Sequence, residues 1–185
     1  MPTGMQRGFA VWLTGLPSSG KTTLAYALRD RLLERGLSVQ MLDSDELRGR
    51  LTPHPTYSPE ERDWFYDVLV FLAGMLTDNG VNVLLAATAS KQSYRAAARN
   101  RIQRFAEVYV ECSLDVCRER DRKGLWDQAD RGMITALPGH GTPYEPPESP
   151  EAHVDTVMLA PEAAAQEILR QLDEEGFFSD PSEGI

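Results

Sequence analysis

The sequence predicts an α/β fold, a mostly parallel sheet with helices on both faces, and three observations carry that prediction. Short apolar runs alternate with stretches of helical periodicity, as successive βαβ units require. The runs at 9–14 and 81–87 are apolar nearly throughout rather than alternating, which marks strands covered on both faces. A glycine-rich loop joins the first run to the first helix.

The elements follow in order. The first strand, 9–14, stops at Gly15. After Gly20, the residues Leu24, Ala27, Leu28 and Leu32 recur at helical spacing until Gly36, which can take the left-handed conformation that ends a helix. Residues 37–42 form a second strand, with Asp43 and Asp45 where it ends. Ser58-Pro59-Glu60-Glu61 supplies a capping serine, a proline tolerated in the first turn and a glutamate three residues after the serine, so a helix runs to about Asp78. Asn79-Gly80 breaks it before the central strand 81–87. An Ala- and Arg-rich helix, 94–104, is followed by the strand 105–111, and Ser113 caps a helix through Val116 and Cys117. A last strand is expected at 153–159 and a closing helix at 161–175, ended by Gly176, with a frayed tail over 177–185. One stretch breaks the alternation. Residues 132–150 hold three glycines and five prolines with hardly any periodicity, too long for an ordinary connection, and are expected to form a lid.

Composition narrows the function. The 185 residues, 42% hydrophobic, suit one domain spanning 1–185. With 19 Lys and Arg against 28 Asp and Glu, the net charge is -9, which argues against nucleic acid and anionic membrane as partners. No apolar run approaches the ~18 residues of a membrane span, and no secretion signal is read at the start, so a cytoplasmic location is expected. Cys112 and Cys117 read as buried thiols.

Gly15-Leu16-Pro17-Ser18-Ser19-Gly20-Lys21-Thr22 satisfies G-x-x-x-x-G-K-[ST] between a strand and a helix, the context that this motif requires. Such a loop curls its amides onto phosphate oxygens, so the fold sharpens to a P-loop NTPase-type three-layer sandwich. Lys21 is expected on the β- and γ-phosphates of ATP and Thr22 on Mg²⁺. The central strand ends in Ala86-Ala87-Thr88-Ala89 without a carboxylate, which argues against a motor ATPase, and no Asn-Lys-x-Asp guanine motif is present. Asp43 and Asp45, two apart, would point the same way from an extended stretch, to orient magnesium water and take a proton from an acceptor hydroxyl. Arg48, Arg62, Arg95, Arg99 and Lys123 could form an anion pocket.

These residues resemble the adenylylsulfate kinase family, whose members phosphorylate the 3′-hydroxyl of adenosine 5′-phosphosulfate (APS) with ATP. Leu42-Asp43-Ser44-Asp45-Glu46-Leu47-Arg48 resembles the family's L-D-G-D-x-x-R, and Tyr57-Ser58 with Glu61-Arg62 resembles F-S-x-x-D-R. Residues 105–111, Val116-Cys117, Arg120-Asp121, Lys123-Gly124-Leu125, Pro143-Tyr144-Glu145-Pro146-Pro147 and Asp155-Thr156 follow in order and spacing. The resemblance implies that the nucleotide set extends to Thr23 and Arg120, that Asp43 serves the metal and Asp45 the acceptor hydroxyl, or the reverse, and that Arg48, Arg62 and Lys123 hold APS. Tyr57 replaces the phenylalanine that stacks on the substrate adenine, and Ser90 falls near a serine that carries phosphate in some members. It makes a homodimer plausible.

Departures cluster on the acceptor side. Phe65 and Asp67 stand where the family has a substrate-touching asparagine and an arginine, and Leu137 stands for the lid phenylalanine. The segment 90–95 lacks Pro-Tyr after its serine. Two other readings therefore stand beside APS phosphorylation: a kinase of another small anionic or nucleotide acceptor, and a non-catalytic nucleotide-binding scaffold.

Overall fold

Along Ala10–Thr14 (β1) successive side chains point to opposite faces, and both faces are covered. Ala10 and Trp12 enter one apolar cluster, Val11 and Leu13 the other. The computed structural model describes residues 6–179. After β1 come α1 (Lys21–Glu34), β2 (Val39–Asp43), α2 (Ser44–Leu51), α3 (Pro59–Asp78), β3 (Asn82–Ala86), α4 (Gln92–Arg101) and β4 (Phe105–Glu111). The chain continues through α5 (Leu114–Glu119), α6 (Leu125–Asp130), β5 (Leu137–Pro138), β6 (Gly141–Thr142), β7 (Ala152–Asp155) and α7 (Pro161–Glu174). The main sheet has the order β2-β3-β1-β4-β7 with every neighbouring pair parallel.

Two helical layers sandwich this sheet, as the alternation predicts. Leu24, Leu28 and Leu32 of α1 pack with Ile168 and Leu169 of α7 on one face. Phe65, Tyr66, Leu69 and Ala73 of α3 pack with Tyr94 and Ala98 of α4 on the other. Each fully buried leucine contributes about 1.5–3 kcal/mol of transfer free energy, so these stripes hold the layers in place. A third cluster, Cys112, Cys117, Trp126, Ala129 and Leu137, lies beside the phosphate loop, touching Leu16. Both thiols are free and buried, and burial pushes that of Cys117 up to about 12.

Several boundaries differ from expectation for local reasons. The last strand ends at Asp155, whose carboxylate accepts the amide of Val157 at 2.8 Å and turns the chain away from the sheet. The helix expected at 94–104 starts earlier and ends earlier, at 92 and 101. Glu145, 53 residues away, supplies its start by accepting the Gln92 amide at 2.6 Å. The tail expected to fray does not do so at its beginning. Phe177 and Phe178 meet Phe9 edge to face, with ring centroids 5.6 and 5.4 Å away, while 180–185 lie outside the described residues.

The segment expected as a lid divides in two. Residues 137–142 make the small β5-β6 pair next to the third cluster. Residues 143–147 form a strap over the carboxyl ends of the central strands β1 and β3. There the Tyr144 hydroxyl lies 3.1 Å from Thr14 Oγ1, and the Glu145 amide donates to the Ser90 carbonyl at 2.8 Å.

Candidate active site

The phosphate loop is shaped by two glycines. A Cβ on Gly15 would run into the carbonyl of Val110, so only glycine lets the loop lie this close to β4. Gly20 sits at φ 94°, ψ 9°, the left-handed region, immediately before α1. Lys21 Nζ folds back onto the carbonyls of Gly15 at 3.1 Å and Leu16 at 2.7 Å. Removal from water lowers its pKa to about 8 from 10.5, offset in part by the nearby carboxylate of Asp45.

Asp43 ends β2 and both of its oxygens are engaged. Oδ2 accepts the Thr22 hydroxyl at 2.7 Å, and Oδ1 caps α2 by accepting the amides of Asp45 at 2.8 Å and Glu46 at 3.3 Å. The expected extended geometry of the acid pair is therefore corrected: the helix begins at Ser44, so Asp43 belongs to the strand end and Asp45 to the first turn. The Asp45 carboxylate pairs with the Lys123 ammonium instead. A hydroxyl and a carboxylate are hard oxygen donors that suit Mg²⁺, which takes one or two protein ligands and completes its shell with phosphates and water.

A cavity of about 800 Å³ opens over this loop. Pro17, Ser18, Gly20, Lys21, Thr22 and Thr23 line one side, with Asp45, Arg120 and Lys123 at its wall. Other parts of the lining were not foreseen from sequence, among them Thr88, Arg122 and the run from Val157 to Pro161 that follows Thr156. That run has no periodicity. The only signal was its position after Asp155-Thr156. Its apolar members Val157, Met158 and Leu159 offer the kind of surface on which a base rests.

Arg48 stands on α2 and Arg62 on α3, with Tyr57 in the loop between. Arg48 pairs with Glu61 at 3.0 Å, its guanidinium 3.9 Å from the Phe65 ring centroid and 5.2 Å from that of Tyr57. Arg62 donates to the Tyr57 carbonyl at 3.0 Å and to the Ala136 carbonyl, tying α3 to the segment before β5. Tyr57 is exposed, with the guanidinium groups of Arg48 and Arg62 5.2 and 5.6 Å from its ring centroid.

Five expected participants are placed elsewhere. Arg95 is buried, donating to Glu107 and to the carbonyls of Ala89 and Glu145, so it anchors the strap instead of lining an anion pocket. Arg99 clasps Glu151 at 2.5 Å. Phe65 has no exposed surface and serves as a platform under Arg48. Ser90 is buried beneath the strap. Leu137 is turned into the third cluster, where apolar neighbours draw it away from solvent.

Comparison with known proteins gives a consistent result. The family model of adenylylsulphate kinase matches residues 7–155. The adenylyl-sulfate kinase of Rippkaea orientalis is 40% identical over 95% of this chain and 97% of its own length. A probable adenylyl-sulfate kinase of Pyrococcus abyssi is 40% identical over 92% and 98%. The Mycobacterium tuberculosis APS kinase, solved in complex with AMPPNP and APS, aligns with a TM-score of 0.83 at 34% identity, covering 90% of this chain and 98% of that one. A gluconokinase of Sinorhizobium meliloti shares the fold alone, at TM-score 0.60 and 19% identity. Among the described residues no helix is long and apolar enough to cross a membrane.

Proposed function

This chain belongs to the adenylylsulfate kinase family, and from that premise we infer that it transfers the γ-phosphate of ATP to the 3′-hydroxyl of APS. The observation that carries the reading is the Asp45–Lys123 pair, at the wall of the cavity that holds the intact phosphate loop. Asp45 lies one helical turn before Arg48 on α2, and Arg48 meets Tyr57.

In this reading Lys21 leaves its two carbonyls for the β- and γ-phosphates, and the loop amides take the remaining oxygens. Thr22 and Asp43 would hold Mg²⁺, which would supply neutralisation of charge on the phosphate oxygens. Asp45 takes the acceptor proton. Asp43 is unsuited to that task because its oxygens serve Thr22, the helix cap and the metal shell, whereas Asp45 faces only an exposed ammonium. Lys123, released from Asp45, and Arg62 hold the anionic end of the acceptor, Tyr57 stacks on its adenine, and Arg48 adds charge behind them. Arg120 and the 156–161 run form the nucleotide wall. The chain acts as one domain in the cytoplasm, supplying activated sulfate, with residues 132–142 closing over the nucleotides.

The test is ADP release with ATP, Mg²⁺ and a panel of hydroxyl acceptors, with the product identified by mass. Phosphorylated APS is the expected product. Turnover only with a different anionic acceptor would keep the kinase and overturn the acceptor. Silence with every acceptor would favour a scaffold.

A further inference from the structure

The Ser19–Gly20 peptide at the turn of the phosphate loop is not locked by its own residues. Gly20 occupies the left-handed region, where glycine has several backbone conformations of similar energy, and a neighbouring peptide plane can rotate at little cost. The Ser19 side chain does not restrain it either: its Oγ is buried with no hydrogen-bond partner. The peptide on the other side is fixed, because the Gly20 carbonyl accepts the Leu24 amide at 2.9 Å as α1 begins.

What restrains the Ser19–Gly20 plane comes from 137 residues away. Thr156 Oγ1 donates to the Ser19 carbonyl at 2.9 Å. A hydroxyl has one hydrogen to give, and the Glu111 carbonyl, 3.1 Å away, already accepts the Thr156 amide at 3.0 Å. Arg120 completes the arrangement. One arm of its guanidinium donates to Thr156 Oγ1 at 3.1 Å and the other to the Thr156 carbonyl at 2.8 Å, so the hydroxyl accepts from behind and donates forward. In a planar trans peptide the carbonyl and the following N–H point in opposite senses. Holding the Ser19 carbonyl toward Thr156 therefore aims the Gly20 N–H the other way.

We propose that Thr156 is a positioning residue for phosphate recognition: its hydroxyl, oriented by Arg120, holds the Ser19–Gly20 peptide so that the Gly20 amide faces the nucleotide's β-phosphate. The proposal rests on the reading of this loop as the ATP site. It assigns to the 156–161 run a task beyond lining the cavity, and to Arg120 an indirect role in addition to any direct contact.

The experiment compares nucleotide binding by calorimetry in the full chain carrying Thr156→Val, Thr156→Ser or Thr156→Ala. ADP and AMP are the probes, because AMP lacks the phosphate that the Gly20 amide would meet. The expected result is ADP affinity weakened about tenfold in Thr156→Val, AMP affinity within twofold of the parent, and ADP affinity restored by Thr156→Ser. If Thr156→Val does not fold, the Ser and Ala variants, which differ by one hydroxyl, carry the same contrast. Equal losses for ADP and AMP would overturn the proposal, since the hydroxyl would then shape the whole pocket. Unchanged ADP affinity without the hydroxyl would overturn it too. A parent chain that binds AMP but gains nothing from the β-phosphate would remove the underlying reading of the loop, and the proposal with it.

Discussion

On the donor side Lys21 is held by neutral partners, the carbonyls of Gly15 and Leu16, in front of an open cavity. On the acceptor side Arg48 and Lys123 are each held by a carboxylate, Glu61 and Asp45. A phosphate arriving at Lys21 displaces dipoles, so the donor site is organised before ATP binds. An acceptor must compete with charges of the protein's own. The two pairs differ in how hard they compete: Lys123 and Asp45 are 56% and 64% exposed, where an ion pair is worth about 0–1 kcal/mol, while Arg48 and Glu61 are 13% and 15% exposed. The exposed pair opens readily and the sheltered one stays closed. In the proposed reading the acceptor site is thus an exchange of partners around Lys123, with Arg48 as a fixed background charge.

The largest effect that can break this contrast is at Lys21. Lys21→Ala is expected to lower turnover by a factor on the order of a thousand or more, with the circular dichroism spectrum retained, because the γ-phosphate loses its main cation. Turnover near the parent's would mean that the donor half is not organised around this ammonium. Next is Asp45→Asn, which removes the proton acceptor and frees Lys123. It is expected to reduce the maximal rate by about 10²–10³ while leaving ATP affinity within about twofold, as read from steady-state kinetics beside calorimetry. A matched loss in both would make Asp45 a binding residue.

Arg48→Lys keeps the charge but gives up the Nη1 contact with Glu61 and the face contact with Phe65. A rise of about tenfold in the KM for APS, with the KM for ATP unmoved, is expected. Equal shifts in both constants would show that the two halves are not separable.

The smallest effect sharpens the comparison through pH. Burial lowers the Lys21 pKa to about 8 from 10.5, so between these values the folded chain binds fewer protons than the unfolded one. Stability of the nucleotide-free protein should accordingly rise as pH increases from about 8 to about 10.5, and that gain is lost as pH falls back through 8. ATP favours the charged form. Binding at pH 8.5 should therefore take up a fraction of a proton, and affinity should fall several-fold from pH 7.5 to 9. Calorimetry in two buffers of different ionisation heat measures this, and Lys21→Met should abolish the uptake.

Legibility followed the same division. The phosphate loop was readable because its eight residues are contiguous and act largely through their own backbone. Helix α3 was readable from Ser58, whose hydroxyl does accept the Glu61 amide, at 3.2 Å. The acceptor side was harder. Arg95 and Arg99 share a helix face at i and i+4, which says that they are neighbours but not which way that face turns. It turns toward Glu107 and Glu151. Phe65 matched a substrate-touching position by spacing, yet the core took the ring.

Local pattern by itself determined the strand and helix alternation, the phosphate loop and the cap that starts α3, since each depends on residues within a turn or two of one another. Tertiary structure alone decided which carboxylate each cation meets, that Glu145 would start α4, and that Thr156 would reach Ser19. Those contacts join segments far apart in the chain, and side-chain direction there is set by packing around the sheet, which no short stretch of sequence encodes.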